Sequence, residues 1–173
     1  RTPHMLCYHI NIGHPVLAEG SRYLAPVRDV VWAAHAGDAY RRQGVGYRRL
    51  AGPQQNFHEQ VWQHELGANA NGEVPVALVN DRLGLGVEVV TRKDQFPCQF
   101  EWQNLQAGQY ALGIEPATNH VMGNLAARER GEMIWLAHDE SRSYDTVFRV
   151  LDGAAAIAAS AAKIAAIARQ PEE

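Results

Sequence analysis

Cysteine is scarce in this chain. Its 173 residues hold two, Cys7 and Cys98, too few for a disulfide framework. Both sit in apolar, strand-like runs, so they are expected to be reduced and buried in a cytoplasmic protein. Basic clusters are missing beyond the pairs Arg41-Arg42 and Arg48-Arg49, and the net charge is −3. Nucleic acid is therefore not expected as a partner, and the arginine pairs read as solvated loop charges. No apolar run reaches the roughly 20 residues that a membrane span needs. The alanine-rich tail comes nearest, and it carries Lys163 and Arg169. The opening Arg1-Thr2-Pro3-His4 lacks the apolar stretch of a signal peptide. An initiator methionine is missing too, and a strand begins almost at once. The expectation is the later part of a longer protein, or else a start at Met5.

The residues present alternate at the period of β-strands. Strands are expected over residues 5–12, 22–27, 57–66, 76–80, 83–89, 99–102, 109–115, 133–136 and 144–151. Leu83, Leu85, Val87 and Val89 alternate with Gly84, Gly86 and Glu88 after the tight Asp81-Arg82 turn, the best hairpin signal in the chain. Asn69 to Gly72 reads as a turn. Residues 30–56, broken by glycines and Pro53, read as a long loop, and a second loop runs to Arg130. Asp152 is expected to cap a helix ending near Arg169, with Ile157, Ile164 and Ile167 on one side. The expectation is an all-β antiparallel sandwich with one C-terminal helix, residues 1–153 forming the sandwich and 154–173 the helix.

Two segments carry the chemistry. In Tyr8-His9-Ile10-Asn11-Ile12-Gly13, strand parity sets Cys7, His9 and Asn11 on one face and Leu6, Tyr8, Ile10 and Ile12 on the other. In Gly113-Ile114-Glu115-Pro116-Ala117-Thr118-Asn119-His120, Glu115 shares its face with Ala111 and Gly113. A histidine and a glutamate thus each stand on a face with room beside them. Histidine titrates near neutrality, and a half-buried glutamate can be tuned towards it, so such a pair can move protons.

These segments, in order with Glu59-Gln60-Val61, make the chain resemble the galactose mutarotase-like (aldose 1-epimerase) superfamily. The similarity is greatest to a branch with YHxNxG, EQV and GxEPxxxH segments, and this chain resembles the C-terminal half. The resemblance implies a β-supersandwich with a sugar lying in a cleft on one concave sheet. It also implies interconversion of α and β anomers, with His9 as the acid on the ring oxygen and Glu115 as the base on the C1 hydroxyl. No cofactor and no metal are implied. Family members are about twice as long, and their earlier half supplies a further histidine and an arginine. A missing N-terminal half or a homo-oligomer is therefore expected as a partner, beside a small-molecule sugar.

Secondary candidates for holding the sugar are Asn11, Glu59 or Gln60, Trp102 and His120. Glu59 and Gln60 are adjacent on one strand, so only one can face the cleft. Trp102 suits the apolar side of a pyranose, although for Trp102 and Trp62 a core position is the favoured expectation. Arg22 and Arg28 are candidates for an acidic substituent. His58 and His64 share a face by parity but lie about 20 Å apart, too far to share a metal. Two other functions are weighed: a non-catalytic carbohydrate-binding domain or inactive fragment, and a cupin-type metalloenzyme using His9, His14, Glu19, His120 and Asn124. The second fits poorly, because cupins need His-x-His.

Overall fold

A computed structural model describes residues 1–34 and 46–169. Among these residues eleven strands run in chain order: β1 (Thr2–His4), β2 (Ile10–Ile12), β3 (Arg22–Leu24), β4 (Val27–Ala34), β5 (Gln60–Leu66), β6 (Glu73–Asn80), β7 (Leu85–Arg92), β8 (Cys98–Asn104), β9 (Ala111–Ala117), β10 (Ile134–Leu136) and β11 (Val147–Asp152). The helices among the described residues are α1 (Asn124–Glu129) and α2 (Gly153–Ala168). The strands form a five-stranded sheet, β2-β9-β8-β5-β4, a four-stranded sheet, β11-β7-β6-β3, and a β1-β10 ribbon. Every strand pairing is antiparallel. The architecture is the sandwich with a C-terminal helix that alternation predicts.

The β6–β7 hairpin shows why these residues form these strands. Asp81–Gly84 make the turn, so β7 starts at Leu85 and not at Leu83, with Leu83 N–H donating to Asn80 Oδ1 and Gly84 N–H to the Asn80 carbonyl. Gly84 has φ 69°, a conformation that costs glycine little. Val74, Val76, Leu78 and Val89 face the five-stranded sheet and pack with Ile12, Leu112 and Ile114. Ala77 and Val79 point the other way, where Ile157 and Ile164 of α2 cover them together with Leu151.

Several expectations change in detail. Residues 5–12 are not one strand: only Ile10–Ile12 pairs as β2, and Cys7 forms an isolated bridge to Ala117. Pro116 on the facing strand has no N–H to give, so the ladder lapses beside it. Thr118 takes over, its backbone N–H and its hydroxyl both bonding Leu6. Cys98 is buried but Cys7 is exposed, because Cys7 lies on the His9 face. Ala25-Pro26 splits residues 22–27 between the two sheets. The expected loop from Val30 begins as strand β4, whose register shifts at Val27/Asp29 and Val30/Trp32 blur its alternation. Its middle, with Arg41-Arg42, falls outside the described residues. The loop to Arg130 contains α1. Asp152 occupies the N-cap of α2, yet its side chain makes no capping hydrogen bond.

The inward face of β5 and β8 is unexpectedly polar. Gln60, His64, Glu101 and Gln103 are all buried there. Gln103 donates to Glu101 Oε1 at 2.7 Å, while Glu101 Oε2 has no partner among the described residues. Burial holds the Glu101 carboxyl well above its usual range. Burial, with Arg48 adding to it, pushes His64 down to about 4, so it is neutral at pH 7. A carboxyl raised in the folded state costs stability as pH climbs past its unfolded value, because the unfolded chain ionises first. Glu101→Gln should therefore stabilise the protein by about 1–3 kcal/mol at pH 8. Urea unfolding should show the gain shrinking towards pH 4.

Candidate active site

The site forms where β2, β9 and β8 lie side by side. Gly113 of β9 stands between Asn11 of β2 and Trp102 of β8, and all three point to the outer face of the sheet. Glu115, two residues on, shares that face. His9, just before β2, reaches over it with Nε2 2.8 Å from Glu115 Oε1. The contact is close but not aligned as a hydrogen bond, and it becomes an ion pair when His9 carries its second proton. The His9 side chain is 49% exposed and that of Glu115 only 8%. The carboxylate is the floor of the site and the imidazole its wall.

Each partner is held by a neighbour. His9 Nδ1 lies 2.7 Å from Asn11 Oδ1, a bond that fixes the ring when Nδ1 carries the proton. The Trp102 ring meets the His9 ring nearly edge-on at 5.1 Å. Its indole Nε1–H donates to Glu59 Oε2 at 3.0 Å. Gly113 supplies the space: a Cβ there would lie 2.6 Å from Glu115 Oε1, 3.2 Å from His9 Cε1 and 3.3 Å from Trp102 Cβ.

Burial raises the Glu115 carboxyl above its ordinary value. The His9 charge pulls it back down, and the Glu59 carboxylate pushes it up again. The result is a proton acceptor tuned upward, in contact with a histidine open to solvent. Such a pair can take one proton from a small polar ligand and give another to it.

The structure brings together His9, Glu115, Asn11, Glu59 and Trp102. Gln60 faces the other way, 1% exposed between the sheets, which resolves the choice between Glu59 and Gln60. His120 lies apart from the pair, on the turn after β9, beside Gln63 and Glu132. Trp62 is core, as expected, whereas Trp102 is partly open. Arg22 is tied to Asp81 by two bonds of 2.6 and 2.7 Å. The Arg28 guanidinium is packed against Gly67. Among the described residues, no three His, Cys, Asp or Glu side chains are grouped to hold a metal ion. Strand parity already put Gly113 beside Glu115 with room next to it, but sequence reasoning missed Gln63, although parity with Val61 and Glu65 puts Gln63 on the outer face.

The model of a family described as a domain of unknown function, DUF4432, matches residues 1–150. The chain belongs to this family. A solved structure, a candidate aldose 1-epimerase from Klebsiella pneumoniae subsp. pneumoniae MGH 78578, is similar with a TM-score of 0.85 and 27% identity. The similarity covers 98% of this chain and 44% of that one, so the chain spans less than half the length of its structural neighbour. No curated protein matches. The DUF4432 chain thus shares its sandwich fold with less than half of that longer protein.

Replacing Gly113 with alanine should force the carboxylate and imidazole apart. We expect a stability loss of about 1–3 kcal/mol in thermal unfolding. Nuclear Overhauser contacts between the His9 ring and the Glu115 side chain should be lost in a chain that still folds.

Proposed function

We propose that the chain carries an aldose 1-epimerase-like site that interconverts the α and β anomers of a sugar. The observation that carries this reading is the His9–Glu115 contact of 2.8 Å over the gap that Gly113 leaves on the outer face of the sheet. Glu115 takes the proton of the C1 hydroxyl and His9 gives a proton to the ring oxygen. The C1–ring-oxygen bond breaks, leaving an open-chain aldehyde, and the C1–C2 bond turns. The reverse transfers close the ring on the other face and restore both groups. Both oxygens hang on the same carbon, so an acid and a base standing this close serve them once the sugar has displaced their mutual contact.

Trp102 offers an apolar face to the sugar ring, Glu59 accepts hydrogen bonds from its hydroxyls and Asn11 orients His9. The chemistry needs no cofactor or metal. A cytoplasmic location fits two free cysteines, and no described helix is long and apolar enough to cross a membrane. The edge strand β11 leaves Phe148 59% and Val150 73% exposed. That open edge, with a neighbour more than twice as long, favours further polypeptide lying against β11 as the structural partner.

Exchange-spectroscopy NMR on reducing sugars tests the reaction. Accelerated α-to-β exchange should fall by at least about 100-fold in Glu115→Gln, the usual loss of a general base. Its acid limb should lie above the ordinary carboxylate range, because a raised Glu115 takes up its proton early as pH falls. Sugar contact with no exchange would instead indicate a non-catalytic binding domain.

A further inference from the structure

A cavity of about 420 Å³ lies between β3 and the C-terminal half of α2, and it shares no lining residue with the acid–base pair. Leu24, Ala25 and Val27 form one apolar wall, and Ile164, Ala165 and Ala168 of α2 form the other. Alanines on the α2 side leave a groove where larger side chains would have closed the gap to the strand. The volume falls in the range of small-molecule sites, about 300–1,000 Å³.

The rim of this groove is basic. Arg22, Arg48 and Arg169 line it, and no acidic side chain among the described residues does. Asp81 neutralises Arg22 through its two short bonds. Arg169 stands at the C-terminus of α2, where the negative end of the helix dipole offsets its charge. Arg48 is left as the cation without a counter-charge among the described residues. It is nonetheless held in place: its Nε donates to the Tyr47 hydroxyl at 3.0 Å, and its Cζ lies 5.1 Å from the centre of that ring. Its two Nη groups remain for a ligand.

Beside Arg48 the interior is rich in donors and poor in acceptors. Tyr23 also lines the groove, is 4% exposed, and its hydroxyl has no hydrogen-bond partner among the described residues. The His64 ring lies 5.6 Å from the Tyr23 ring and 4.6 Å from the Tyr47 ring. Neither of its nitrogens has a partner among the described residues, and a neutral imidazole still offers one N–H. The Tyr47 hydroxyl accepts from Arg48, so its own proton is left to donate. Enclosed donors are normally satisfied, so this grouping points to an acceptor that the described residues do not supply. The carboxyl whose charge Tyr23 feels most is Glu101, and burial favours its neutral form, which does not repel an anion.

We propose that this groove binds a free aliphatic carboxylic acid of medium chain length. The carboxylate lies at Arg48 with the Tyr23, Tyr47 and His64 donors around it, and the hydrocarbon chain runs along the alanines of α2. The site stands apart from the anomer-exchange pair, so either reading can fail without the other.

Isothermal titration of the native chain with octanoate tests the site, with octan-1-ol and acetate as probes of the chain and the head alone. Octanoate should bind one site about 10-fold more tightly than octanol, the usual worth of a charge-assisted hydrogen bond. Acetate should bind more weakly than either. Arg48→Met should bring octanoate to the level of octanol, whereas Ala165→Leu should fill the groove and weaken both. Alanine-methyl NMR of the native chain locates the ligand without any substitution, and Ala161, Ala165 and Ala168 should shift with octanoate. No binding, equal affinity for octanoate and octanol, or methyl shifts only outside the groove would overturn the proposal. Sedimentation with phosphatidylglycerol vesicles in the absence of octanoate binding would overturn it too, and would reassign the basic rim to a membrane contact.

Discussion

The site depends on one register. Because β9 pairs with β2 on one side and β8 on the other, Asn11, Gly113 and Trp102 stand in a row across three strands. The middle member has no side chain. Into that gap fold the Glu115 carboxylate from the same strand and the His9 ring from the chain entering β2. A shift of one residue in either pairing would turn Glu115 into the core and bring Ile114 out. Inter-sheet packing guards against it, since Leu112 and Ile114 are fully buried against the four-stranded sheet. The same alternation that builds the core therefore also aims the acid and the base.

Two glutamates in this sheet have raised carboxyls, and their settings separate structure from chemistry. Glu101 is fully enclosed on the inward face of β8, with an amide as its hydrogen-bond partner. Glu115 is on the outward face of the next strand, near the surface and against an exposed histidine. Burial lifts both, but only Glu115 has a proton partner and a route to a ligand. A perturbed carboxyl marks a reactive site when a charge partner and an opening accompany it.

Much of this was legible in the sequence. Alternation gave the hairpin at Asp81, the faces of His9 and Glu115, and the terminal helix. What alternation could not give were places where the chain departs from regular pairing. β4 was hidden by its register shifts, and the strand at residues 5–12 was cut short because Pro116 opposite it has no N–H. The choice between Glu59 and Gln60 needed the pairing of β5 with β8, which no single strand contains. His120 could be singled out from its motif, but its place beside Gln63 and Glu132, away from the acid–base pair, depends on how the turn after β9 folds back. Parity put Gly113 beside Glu115, but the close approach of His9 and Trp102 to it needed the pairing of β9 with both its neighbours.

The claim at the centre of this account is that Glu115 is a proton acceptor tuned by burial and by His9. The direct measurement is a carbon-13 NMR titration of the Glu115 carboxyl in the native chain and in His9→Gln. The account predicts a midpoint above the ordinary glutamate value in the native chain. It predicts a further rise in His9→Gln, where the charge that pulls it down is gone. An ordinary midpoint that does not move when His9 is replaced would contradict it.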